Sequence, residues 1–76
     1  MNVMIIATKS CNHRSAMEHE LQDLGVKYHV VYVEDDPKVV AKYAIRHSPN
    51  LIINDEVVCR RLPSEGELKT LISKFQ

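Results

Sequence analysis

The order of secondary-structure signals along the chain of 76 residues constrains its fold more than any other feature. Val3–Ala7 is a short apolar run that reads as a buried strand, and residues 27–33 form a second run rich in Val and Tyr. Between them, apolar residues recur at helical spacing from Cys11 to Leu24, and Gly25 stands where a left-handed helix stop is expected. A strand, a helix and a strand in succession imply two parallel strands joined by a right-handed crossover.

The second half of the chain predicts an antiparallel strand pair and a terminal helix. Asn54-Asp55 is a two-residue turn of residues that tolerate positive φ, and it separates strands at Leu51–Ile53 and Glu56–Arg60. Asp36-Pro37 opens a helix that runs to about residue 45. Ser64 to Glu67 form a capping box for a last helix. Its predicted buried stripe consists of Leu68, Leu71, Ile72 and Phe75.

These signals together predict one α/β domain over residues 1–76, with the order β-α-β-α-β-β-α. A parallel crossover followed by an antiparallel hairpin gives a four-stranded mixed sheet with helices on both faces. The chain is short enough that a second core has no room.

Composition narrows the classes of partner and location. Ten basic and ten acidic residues cancel, and the absence of a basic block argues against nucleic acid as the main partner. No apolar run approaches the roughly 18 residues needed to span a bilayer. The first residues lack the features of a signal peptide. We therefore expect a cytoplasmic monomer that does not associate with membranes.

Cys11 is the main candidate for chemistry. A thiol at a helix N-terminus meets unpaired backbone N–H groups and the positive end of the helix dipole, and both favour thiolate over thiol. His13 and Arg14 place positive charge within one turn, so Cys11 is predicted to be a nucleophile with these two residues assisting it. Arg14 stands where a C-x-x-C motif has its second cysteine. The alternative is that Cys11 is inert and Arg14 a solvated surface residue.

The other candidate groups carry weaker signals. Cys59 falls in the last predicted strand, where a free cysteine usually acts as a small hydrophobe; a role as a distant resolving thiol stays open. Cys11 with His13 offers only two ligands, so no metal site is predicted. Arg60-Arg61 reads as a solvated strand end, with an anionic partner as the alternative.

The chain resembles the thioredoxin fold in its minimal form, as in the glutaredoxins and small thioredoxin-like proteins. The resemblance covers essentially the whole chain. Four segments carry it, namely Cys11–Arg14, Tyr43–Ile53 across a proline loop, Asn54–Val58 at the hairpin, and Leu62–Glu65 before the last helix.

The resemblance implies a substrate platform and also marks three departures. The proline that matches Pro49 is cis in that family, and the backbone of the preceding residue, here Ser48, pairs with an extended substrate. His47 beside this loop is then expected to help orient a substrate. Arg14 replaces the second cysteine, Arg60-Arg61-Leu62 replaces a glycine turn of the glutathione cleft, and Lys9 lies one residue too close to Cys11 to match the glutaredoxin lysine.

Two functions follow from the resemblance. The first is a monothiol thiol–disulfide exchanger that forms mixed disulfides through Cys11 with a protein or with glutathione, glutathione being a co-substrate and no cofactor being needed. The second is a redox-inactive binding module that uses Ser48-Pro49 to hold an extended peptide. A shared iron–sulfur cluster, as in monothiol relatives, is disfavoured because the chain lacks their C-G-F-S motif.

Overall fold

A four-stranded mixed sheet with three helices forms the molecule, as predicted; a computed structural model of the chain describes residues 1–75. The strands lie in the order β2-β1-β3-β4, with β1 parallel to β2 and both other pairs antiparallel. The strands are β1 (Val3–Ala7), β2 (His29–Tyr32), β3 (Asn50–Ile53) and β4 (Glu56–Cys59). The helices are α1 (Arg14–Asp23), α2 (Lys38–Lys42) and α3 (Glu65–Lys74).

Helices cover both faces of the sheet because the two central strands are apolar on both sides. Ile5 of β1 belongs to a main core with residues of α1 and α3, whereas its neighbour Ile6 packs with α2 residues on the other face. Successive strand side chains point to opposite faces, so an uninterrupted apolar run serves two cores. All four residues of β3 are buried for the same reason.

Local signals fix the end of α1 and the start of α3 where the sequence predicts them. Gly25 has φ +70° after α1, and the N–H of Val26 donates to the carbonyl of Leu21 at 3.0 Å, the bond that closes a Schellman motif. Ser64 caps α3, since its Oγ accepts from the N–H of Glu67 at 3.3 Å. Of the predicted stripe of α3, Leu68 and Ile72 are buried, while Leu71 and Phe75 are half-buried.

The hairpin forms as predicted, and several other boundaries differ. Asn54 and Asp55 have φ of +52° and +70°, as a two-residue turn requires. Helix α2 begins at Lys38 and ends at Lys42 rather than near residue 45, because Ala44 adopts a positive φ of +52° and turns the chain towards β3. Strand β2 is shorter than predicted at both ends, and β4 ends one residue early, at Cys59.

Glu20 on α1 is the least favourable carboxylate among residues 1–75. Its Oε2 is buried without a hydrogen-bond partner, and burial raises the pKa of Glu20, helped by the charges of Glu65 and Asp23. Since the raised pKa disfavours the charged form in the folded state, the penalty is present at neutral pH and disappears as the pH falls through that pKa.

Glu20→Gln is therefore expected to raise the free energy of unfolding at pH 7 by roughly 0.5–1 kcal/mol. Near pH 3, where both the folded and the unfolded carboxyl are protonated, the difference should vanish. Urea denaturation at the two pH values measures this, with the exposed Glu56→Gln as the control. A loss of stability at pH 7 would contradict the expectation.

Within residues 1–75, no helix is long and apolar enough to cross a membrane.

Candidate functional site

One end of the sheet brings together three segments that are distant in sequence. Ile6 near the end of β1 pairs with Asn50 at the start of β3, and Leu51 pairs with Cys59 at the end of β4. The loop after β1, the proline loop before β3 and the turn after β4 must therefore share this end. The residues predicted for the site lie on the first two of these segments, except Arg14, which is the first residue of α1.

The loop that carries Cys11 is hydrogen-bonded to the proline loop. The N–H of Thr8 donates to Ser48 Oγ at 3.2 Å, and the carbonyl of Thr8 accepts from the N–H of Cys11 at 3.1 Å. Cys11 is a half-buried free cysteine that packs against the main core. One residue, Thr8, thus links the backbone of the thiol to the side chain that precedes Pro49.

Helix α1 does not begin at Cys11, and that part of the prediction is wrong. The helix starts at Arg14 with His13 as its N-cap, and its first bond runs from the N–H of Met17 to the carbonyl of His13 at 3.1 Å. The N–H of Cys11 is bonded back to the carbonyl of Thr8 in a turn, so the chain bends through residues 11–13 before the helix begins. Cys11 precedes the N-cap, and the field of a helix end falls off within about one turn.

The charge of Arg14 is directed at its own helix. Its guanidinium forms an ion pair with Glu18 one turn later and lies over the ring of Tyr32, 5.7 Å from the centroid. His13, in contrast, is exposed. His13 and Arg14 are near Cys11 in the sequence, but the charge of Arg14 is neutralised by the carboxylate of Glu18.

The proline loop presents an unused peptide group. The Ser48–Pro49 bond is cis, Pro49 is buried and Ser48 is half-buried. Among residues 1–75, neither the N–H nor the C=O of Ser48 has a hydrogen-bond partner in the chain, because Ser48 bonds only through its side chain. An extended polypeptide lying along this loop would find one donor and one acceptor free.

Asn50 fixes this loop and was missed by the sequence analysis. It is fully buried, and its Nδ2 donates to the carbonyl of His47 at 2.6 Å and to that of Ile6 at 3.3 Å. The amide therefore holds the proline loop against the end of β1. A polar residue between Pro49 and an apolar strand is the sequence signal for this role, because a buried amide needs hydrogen-bond partners and the nearby backbone carbonyls supply them.

A cleft of about 1000 Å³ opens beside the proline loop, between the end of β4 and helix α3. Its lining includes His47, Ser48, Cys59, Arg60, Arg61 and Glu67. Strand β4 is an edge strand, and Cys59 at its end lies at the same end of the sheet as the proline loop. Its thiol donates to the carbonyl of Arg61 at 2.9 Å.

Lys9 faces the acidic turn after β2. Its Nζ forms an ion pair with Asp35 at 2.9 Å, and its amide donates to the carboxylate of Glu34 at 3.0 and 3.1 Å. The hydrogen bond and charge of Asp35 raise the pKa of Lys9. The lysine is thus engaged beside β2, at the edge of the sheet opposite β4.

Residues 1–73 match the family model described as a thioredoxin domain. The chain belongs to the thioredoxin domain family. This confirms the predicted resemblance, and the family's fold explains why the thiol loop and the proline loop meet. A comparison with curated proteins found no match.

Solved structures of thioredoxin-like proteins share the fold at low sequence identity. A mutant of the thioredoxin-like protein BC3987 superposes with a TM-score of 0.73 at 20% identity, covering 92% of this chain and 99% of that one. Thioredoxin 1 from the thermophilic eubacterium Thermosipho africanus gives 0.72 at 16% identity, covering 99% and 93%. The structure of a malarial protein gives a TM-score of 0.68 at 17% identity, covering 97% of each chain.

Proposed function

We propose that this thioredoxin-family protein is a monothiol thiol–disulfide exchanger that acts through Cys11. The observation that carries the proposal is the hydrogen bond from Thr8 to Ser48, which joins the loop of the free thiol to the loop with the unpaired peptide group. A disulfide held along Ser48 would be presented towards the segment that contains Cys11.

The exchange takes place in three balanced steps. The Cys11 thiolate attacks one sulfur of a partner disulfide, so that a Cys11–partner disulfide forms and the other partner sulfur leaves as a thiolate. An external thiol then attacks the partner sulfur of this mixed disulfide, so that a disulfide between that thiol and the partner forms and Cys11 leaves as a thiolate. A second molecule of the external thiol attacks the sulfur of the first, so that the partner is released as a free thiol and the two external thiols end as a disulfide. Because Arg14 stands at the resolving position, the second step needs a separate thiol, for which glutathione is the candidate.

The neighbouring residues have separate roles in this proposal. His13 is exposed and supplies positive charge close to the sulfur when it is protonated. Arg14 shares its charge with Glu18, so its contribution to the thiolate is the smaller one. Ser48 and Pro49 hold the partner, and His47, which lines the cleft, helps to orient it.

The second candidate is a binding module without redox activity. It is favoured by the late start of α1 and by the Arg14–Glu18 pair, which together leave Cys11 with less positive charge than the sequence predicts. Main-chain pairing at Ser48 needs no thiol, so this function requires only the proline loop.

Reduction of a small disulfide by glutathione, followed by coupled consumption of NADPH, tests the proposal. Cys11→Ser is expected to lower the protein-dependent rate roughly 100-fold or more, since a serine hydroxyl is a far weaker nucleophile than a thiolate. Cys59→Ser, the matched control, should retain its rate within about twofold because that strand-end thiol is not the proposed nucleophile. An unchanged rate in Cys11→Ser would favour the binding module.

A further inference from the structure

The cleft beside the proline loop carries more positive charge than its own residues neutralise. Arg61 is compensated, because its Nη2 pairs with Glu67 at 3.1 Å. Arg60 has no carboxylate partner among residues 1–75; its Nη1 donates to the carbonyls of Ala44 at 2.8 Å and Tyr43 at 3.2 Å. These two bonds orient the guanidinium without cancelling its charge.

A smaller cavity next to the cleft extends this positive region. It has a volume of about 330 Å³ and is lined by Ala44, Arg46, His47 and Arg60, with no carboxylate among them. Arg46 is exposed and forms no ion pair within the described residues. Arg60 and His47 line both cavities, so the cleft and the smaller cavity form one surface.

This surface stands out because the chain as a whole has no net charge. Two carboxylates are paired away from it: Asp35 pairs with Lys9 beside β2, and Asp55 pairs with Lys42 at 3.4 Å. Two guanidinium groups at one end of the sheet are left without a counter-ion in the described part of the molecule. The complementary ligand is therefore anionic.

The shape of the surface suits an extended polypeptide better than a single small anion. A volume of about 1000 Å³ is at the upper limit of small-molecule sites. Ser48 lines this cleft, and its N–H and C=O, which have no partner within residues 1–75, are the groups that a partner backbone would pair with. A chain paired there has its side chains within the positive region.

We propose that this surface binds an extended segment of a disulfide-containing partner protein in which acidic side chains flank the cysteine, with Arg60 and Arg46 selecting those side chains. The proposal rests on the proposed function and specifies its partner. Arg60, held by two carbonyls, receives a carboxylate in the cleft, and Arg46 receives one in the adjoining cavity.

Three activated peptides test whether the surface selects acidic side chains next to the partner cysteine. Each contains one cysteine in a mixed disulfide with thionitrobenzoate, and they differ only in having Glu, Gln or Lys at the flanking positions. The Cys11 thiolate attacks the peptide sulfur, a Cys11–peptide disulfide forms and thionitrobenzoate leaves as a coloured anion. The Glu peptide is expected to react about three- to tenfold faster than the Gln peptide, and the Lys peptide more slowly than both. The differences should shrink in about 0.5 M salt.

Substitutions then test whether Arg60 and Arg46 cause the preference for the Glu peptide. Arg60→Gln and Arg46→Gln should each reduce the ratio of Glu to Gln rates by about two- to threefold. Arg46→Gln is the variant that breaks no hydrogen bond or ion pair among residues 1–75, and circular dichroism establishes that each variant is folded. Lys27→Gln removes an exposed charge near the start of β2, at the other end of the sheet, and should preserve the ratio.

The outcomes separate this proposal from the proposed function. Equal rates for the three peptides would overturn the acidic partner and leave Cys11 chemistry intact. If no peptide reacts at Cys11, the proposed function fails; fluorescence anisotropy of the reduced, labelled peptides with Cys11→Ser then decides the selection, and Arg60-dependent preference for the Glu peptide supports it. If reduced glutathione displaces the labelled peptide but unlabelled Glu peptide does not, the acidic partner is overturned. A dimer that occludes the cleft, detected by sedimentation of the free protein, would overturn it too.

Discussion

Arg14→Cys is expected to convert the protein into a dithiol enzyme that reduces disulfides at least tenfold faster when the external thiol is below about 0.1 mM. In the proposed exchange the mixed disulfide at Cys11 is resolved by a separate thiol. In the variant, a thiol at the first residue of α1, directly after the bend at residues 11–13, would attack the Cys11 sulfur of the mixed disulfide within the same molecule and release the partner as a thiolate. The effective concentration of such a neighbour is about millimolar or higher, which is the source of the gain.

The measurement is turbidity of insulin as its chains are separated, with a dithiol reductant recycling the protein. Arg14→Ala is the matched control, because it removes the ion pair with Glu18 without adding a thiol, and it should show no gain. Mass spectrometry of the oxidised Arg14→Cys protein should find a loss of two hydrogens and no bound reductant. A gain that persists after Cys11→Ser is added would show that the new thiol acts alone, contrary to the proposed exchange.

Leu68→Ala is expected to lower the free energy of unfolding by about 2–5 kcal/mol, the usual cost of emptying a fully buried leucine site. Leu68 has no exposed surface and is the residue of α3 that lies deepest in the main core. A domain of this length has a total stability of roughly 4–11 kcal/mol, so the variant is expected to unfold at a much lower urea concentration than the native chain.

Leu71→Ala on the same helix provides the comparison, since it makes the same chemical change at a half-buried position. It should cost about 1 kcal/mol or less, in keeping with the smaller area that it removes from contact. Urea denaturation followed by circular dichroism measures both. Equal losses for the two variants would mean that α3 does not pack through Leu68.

Local chemistry made most of the fold predictable. Gly25 and the Asn54-Asp55 turn have the positive φ values that their residue types favour, and Ser64 caps α3 through its own side chain. Each of these signals acts over a few residues, so the sequence alone contains the whole interaction. The sheet topology follows from them, because a crossover fixes one strand pair and a tight turn fixes another.

The site was less predictable because its interactions join distant segments. The start of α1 was misplaced since a turn from Thr8, whose amide is held by Ser48, engages the amide of Cys11. The hydrogen bond from Asn50 to the carbonyl of Ile6 spans 44 residues, and no local pattern specifies it. The positive surface likewise depends on folding to bring Arg46 and Arg60 to one place.

The anchoring of the first residues has a practical consequence. The N–H of Asn2 donates to Asn54 Oδ1 at 2.9 Å, and its carbonyl accepts from the N–H of Asn54 at 2.8 Å. These bonds place the beginning of β1 against the hairpin, a strand length of about 17 Å from the loop that contains the thiol. A tether or fusion partner attached ahead of Met1 would therefore leave from the hairpin end, and an immobilised molecule would present outward the end that carries Cys11 and the proline loop.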